Sequence, residues 1–66
     1  MDAKEIGRKL VALRGDKTQE EVAKSLGVTT MAVSNYESGK RVPRDEIKIR
    51  IAAYYRLSVE DIFFAH

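Results

Sequence analysis

An all-α fold, a compact bundle of five short helices, is what this sequence predicts, and three observations predict it. Apolar residues recur at helical spacing over most of the chain. Thr18, Thr29 and Ser58 stand where helices would begin, and Gly15, Gly27 and Gly39 stand where they would end. At 66 residues and 44% hydrophobic content the chain holds one domain, residues 1–66, with one small core. There is no cysteine to staple that core. Stability must therefore come from close helix packing or self-association.

The first helix is written by Ile6, Leu10 and Leu13 at i, i+4 and i+7, a stripe of about three turns that Gly15-Asp16 breaks. Thr18-Gln19-Glu20-Glu21 is a capping box: Thr18 bonds the backbone N–H of Glu21, whose side chain returns the bond. The second helix then presents Gln19, Val22, Ala23 and Leu26 on one face and ends at Gly27 in the left-handed conformation. Thr29 caps a third helix, which Gly39 closes in the same way. Pro43 forbids helix just before it and favours a new one after it.

Asp45 caps or charge-stabilises that fourth helix, which runs to about Tyr55. Its composition carries a conflict. Ile47, Ile49 and Ile51 alternate with Lys48 and Arg50, as in a strand. Helix is the better reading, because Ile47, Ile51, Tyr54 and Tyr55 fit i, i+4, i+7 and i+8, and a lone strand would have no partner. Ser58-Val59-Glu60-Asp61 repeats the capping pattern and opens a short fifth helix, residues 58–64, with Ile62, Phe63 and Phe64.

Several function classes fall away at this point. The longest apolar runs, such as Ile51–Tyr55, fall far short of the roughly 20 residues that cross a bilayer. The N-terminus MDAKEIGRKL mixes both charge signs and lacks the apolar centre of a signal peptide, so a soluble intracellular protein is expected. There is no thiol, no Gly-rich phosphate loop, and a single histidine, His66, without a partner. No catalytic site, metal site, cofactor or small-molecule ligand is expected, and an enzyme is the least favoured class. A net charge of +2 says little, but Lys40, Arg41 and Arg44 lie together with no acid among them.

The most informative stretch is the least charged. In a chain that is 33% charged, residues 25–36 carry no charge, yet they offer Thr29, Thr30, Ser34 and Asn35 as hydrogen-bonding side chains. Val22, small Ala23, Leu26, Gly27, Val28, Val33 and Tyr36 together match the spacing of a helix-turn-helix, here residues 18–38. The segment TQEEVAKSLGVTTMAVSNYESGKRVP resembles the phage repressor and Cro family, the XRE-type helix-turn-helix domains, and the likeness runs from Ile6-Gly7 to SVEDIFF. The resemblance implies a five-helix domain of the lambda-repressor-like DNA-binding type. It also implies a transcriptional regulator, most often a repressor, acting as a homodimer on a near-palindromic operator. The setting it implies is the cytoplasm of a bacterium or a phage-infected cell, with the protein acting on the nucleoid. With the chain ending at His66, no separate dimerisation domain of the longer phage repressors is expected.

A polar but uncharged helix suits base reading. Donors and acceptors meet base edges in the major groove, whereas acids would be repelled by phosphates and lysines would bind any sequence alike. By resemblance, Thr30, Met31, Ser34 and Asn35 face the bases. Asn35 suits a bidentate pair with adenine, and Met31 a thymine methyl group. The resemblance implies that Gln19 contacts the DNA backbone and sometimes a base, and Thr18 or Thr29 adds a hydroxyl; Thr29 is an N-cap first and a contact second. Lys40, Arg41 and Arg44 reach flanking phosphates or are simply solvated. The resemblance also implies a partly buried ion pair of Arg14 with Glu37, structural rather than DNA-touching.

Tyr54, Tyr55, Phe63 and Phe64 are four of the five aromatics, an excess for one small core. Either all are buried in one chain or some mark an interface; the expectation is a homodimer through the fifth helix, with Tyr54, Phe63 and Phe64 in the contact. The competing class is an antitoxin or other interaction module that grips a partner protein and autoregulates.

Overall fold

The computed structural model describes residues 2–64; His66, expected to stand without a catalytic partner, lies outside them. Four α-helices follow one another: α1 (Ala3–Arg14), α2 (Gln19–Leu26), α3 (Thr30–Ser38) and α4 (Asp45–Tyr55). A single π-helical turn, Glu60–Phe64, closes the described chain. Each boundary has a local cause. Asp2 caps α1 by accepting from the Glu5 N–H at 2.8 Å, a start signal that the apolar pattern does not reveal. That bond is also the main reason the Asp2 carboxyl titrates below its usual range.

The Thr18 capping box forms in full: the hydroxyl oxygen accepts from the Glu21 N–H at 3.0 Å, and the Glu21 carboxylate accepts from the Thr18 N–H at 3.4 Å. Thr29 accepts from the Ala32 N–H at 3.0 Å. Gly27 and Gly39 end α2 and α3 with φ of 73° and 81°.

At α4 the charge-stabilising role expected of Asp45 holds and the capping role does not, while the last helix differs from expectation. Asp45 is the first residue of α4, not its cap; Arg44 holds the cap position without a side-chain hydrogen bond, and its carbonyl accepts from Ile47 and Lys48 at 2.9 Å each. Asp45 and Glu46 instead lay negative charge on the first turn, where the helix dipole favours it. The last helix is a π turn, wound more loosely than α. Ser58 still caps it, accepting from the Asp61 N–H at 3.0 Å.

The core is wholly apolar. Ile6 and Leu10 of α1 meet Val22, Ala23 and Leu26 of α2, Val33 and Tyr36 of α3, Ile51 and Ala52 of α4, and Ile62 and Phe63 of the π turn. Ile51 and Ile62 are the most deeply enclosed. The isoleucine alternation in α4 resolves as helix: Ile51 is buried, Ile47 packs at the core edge and Ile49 is left at the surface. Packing of α1 on α3 is tight at Gly7, where an added methyl would collide with the Glu37 carbonyl oxygen. Gly7 is thus a requirement of the fold, and it holds the first helix against the third.

The C-terminal turn is tied down by two lysines. Lys9 Nζ donates to the Asp61 carbonyl at 2.6 Å. The Lys48 ammonium lies 5.6 Å from the Phe63 ring centre and 5.1 Å from that of Phe64. Among the described residues no helix is long and apolar enough to cross a membrane.

Candidate nucleic-acid interface

The N-terminal half of α3 has one face on the core and one toward solvent. Val33 and Tyr36 turn inward and fix the helix on the core, which leaves the opposite face to solvent. Thr30 and Met31 are exposed, Met31 at 68%, while Ser34 and Asn35 are half-buried along the same side. Met31 therefore takes no part in the core. No acid lies in the first turn of α3. Among the described residues, the side chains of Thr30, Ser34 and Asn35 are not engaged in internal hydrogen bonds, so their donors and acceptors remain to be used. The Asn35 backbone is engaged: its carbonyl accepts from Lys40 N at 3.0 Å and Arg41 N at 3.2 Å. These bonds fold the chain after Gly39 back on the end of α3. They tie the first two residues of the basic segment to the helix that precedes it.

Lys40, Arg41 and Arg44 are all exposed. The Val42 between them is 44% exposed, and Pro43 is buried, pinning the segment to the domain. The two threonines differ in what they have left to give. Thr18 spends its hydroxyl proton on Glu21 Oε1 at 3.3 Å, whereas Thr29 only accepts, so its O–H is still a donor. Of the two, only Thr29 keeps a hydroxyl donor to offer an anion. The N-terminus of α2 has Glu20 and Glu21 on its first turn, which already satisfy much of its dipole. Any backbone contact there must rely more on the neutral Gln19 amide than on the helix end.

Behind this surface lies a charged cluster that joins three elements. Arg14 Nε donates to Glu37 Oε2 at 2.8 Å, and Arg14 Nη1 donates to the Lys17 carbonyl at 2.7 Å. Gln19 Nε2 donates to the other Glu37 oxygen, Oε1, at 2.9 Å. The Glu37 side chain is 6% exposed and that of Arg14 21%. The hydrogen bond to Glu37 raises the Arg14 pKa above its already high value. Tyr55, beside the same cluster, is pushed up to about 12, first by burial and then by the neighbouring Tyr54 and Glu37. The Gln19–Glu37 bond is not readable from the capping box or the apolar face that otherwise define Gln19.

The aromatic end divides. Phe63 is 2% exposed and belongs to the core, which corrects its assignment to an intermolecular contact. Tyr54 is half-buried, edge-on to Tyr55 at 4.9 Å, with the Lys17 ammonium 5.9 Å from its ring centre. Phe64 is 54% exposed and is the aromatic that remains available at the surface.

A family model described as helix-turn-helix matches residues 8–62 of the chain. An HTH-type transcriptional regulator of Methanocaldococcus jannaschii is 39% identical over 46 residues, which cover 70% of this chain and 70% of that protein. No solved structure matches the chain significantly.

Proposed function

Since this chain belongs to the helix-turn-helix family, in its XRE-type branch, we propose that it regulates transcription by reading double-stranded DNA with α3. In this reading it is a repressor and acts as a homodimer on a near-palindromic operator. The observation that carries the reading is the face of α3: exposed Thr30 and Met31, with Ser34 and Asn35 beside them, neutral and unspent, next to a basic segment.

The roles follow from chemistry. Asn35 offers the paired acceptor and donor that match adenine in the major groove, and Met31 offers an apolar contact for a thymine methyl group. Thr30 and Ser34 complete the polar face. Thr29, Gln19, Lys40, Arg41 and Arg44 hold phosphates, which sets the register of the helix without reading sequence. Exposed Phe64 and half-buried Tyr54 support a dimer contact at the C-terminal end.

Asn35→Ala tests the reading. The variant is expected to keep the helical circular dichroism of the parent. Its preference for the parent's selected duplex over a mixed-sequence duplex is expected to fall by about 1–3 kcal/mol. A variant that discriminates as well as the parent would remove α3 from the role of reader.

A further inference from the structure

We infer that Glu37 is a positioning residue for DNA binding, acting through the Gln19 amide without touching DNA itself; the inference rests on the DNA-binding reading above. Glu37 divides its two carboxylate oxygens between two elements. Oε2 accepts from Arg14 of α1 at 2.8 Å, and Oε1 accepts from Gln19 Nε2 of α2 at 2.9 Å. A carboxylate only accepts hydrogen bonds. It therefore admits one orientation of the Gln19 amide, with the NH2 toward Glu37 and the carbonyl turned away. Gln19 is half-buried, and its second N–H and its carbonyl are not used by other side chains among the described residues.

Left alone, a glutamine at the first position of a helix would sample many rotamers and both amide orientations, and binding would have to freeze them. Here the freezing is done in advance by a carboxylate whose own position is fixed by Arg14. The Glu37 side chain, 6% exposed, has little room to swing. The amide of Gln19 thus reaches the DNA surface in one preset orientation, with a donor and an acceptor at defined places. This matters more because Glu20 and Glu21 occupy the same helix end with negative charge. With that charge on the helix end, the second N–H of the fixed Gln19 amide is a donor the site can still offer a phosphate.

Gln19→Ala, Glu37→Gln and the double variant, titrated with a mixed-sequence duplex, form the test. Gln19→Ala is expected to weaken binding roughly two- to tenfold, the effect of one hydrogen bond. Glu37→Gln keeps the size of the side chain but accepts and donates, so it no longer selects one amide orientation. It is expected to weaken binding by a similar factor in the parent and to have little effect in the Gln19→Ala background. Equal losses in both backgrounds, or no loss in either, would overturn the inference.

Should Glu37→Gln fail to fold, the parent protein still decides the matter. Its Gln19 side-chain N–H resonances should show one proton protected and shifted by the Glu37 bond; two protons at free-glutamine shifts, both exchanging freely, would equally overturn it. Failure of the parent to bind any duplex would instead strike the DNA-binding reading, and the resonance measurement keeps the two failures apart.

Discussion

At the scale of single residues, the face of α3 was legible because its chemistry is negative as well as positive: charges are missing where they are common elsewhere in the chain. Burial of Val33 and Tyr36 then decides which side faces out. Other residues were illegible for physical reasons. Gly7 reads as a weak spot in a helix, because the collision it avoids lies across the fold, at the Glu37 carbonyl. Lys48 reads as a solvated lysine, and only the return of the C-terminal turn sets it against two aromatic rings. Tyr55 supplies a prediction at this scale. Its pKa is raised in the folded protein from an ordinary 10.0 to about 12. The sign follows from linkage: the folded state holds this proton more tightly, so the contribution is full below pH 10 and is lost as pH rises toward 12. Phenolate absorbance of the parent should include a component titrating near 12 that Tyr55→Phe lacks. A titration that is the same with and without Tyr55 would show that the residue is not held in this environment.

At the scale of elements, hydroxyl and glycine punctuation located α2 and α3 to the residue, since caps are local and their rules need no tertiary knowledge. The C-terminal half was harder. At the end of α4, Arg56 takes the left-handed conformation, φ 58°, at the place where α2 and α3 use glycine. No sequence signal marks such a position, because arginine rarely adopts it. The left-handed form costs a residue with a Cβ about 1–2 kcal/mol, part of which a glycine would give back in unfolded-state entropy. Arg56→Gly is therefore expected to stabilise the domain by roughly 0.5–1 kcal/mol, read as a higher midpoint of urea unfolding. A lower midpoint would mean that the Arg56 side chain contributes more than its backbone loses. The π turn was also beyond the pattern: the capping serine announced a helix but not its pitch, and the looser turn has Ile62 and Phe63, adjacent in sequence, both buried.

At the scale of the whole molecule, size constrains function. The domain measures 29 × 22 × 22 Å, while successive major grooves on one side of a duplex lie about 34 Å apart. On the proposed function one copy would span one groove, and a two-half operator would take two copies. With Phe63 in the core, the proposed interface keeps Phe64 and Tyr54, so Phe64→Ser should convert a sedimenting dimer to monomer while leaving the helical signal intact. An unchanged dimer would place the contact elsewhere. The most direct measurement of the central claim, that α3 tells one base pair from another, is selection of bound duplexes from a random pool, followed by sequencing. The account predicts one enriched motif with two inverted halves, centred about one helical turn apart. Recovered sequences without a shared motif, at a salt concentration where the protein still binds, would contradict it.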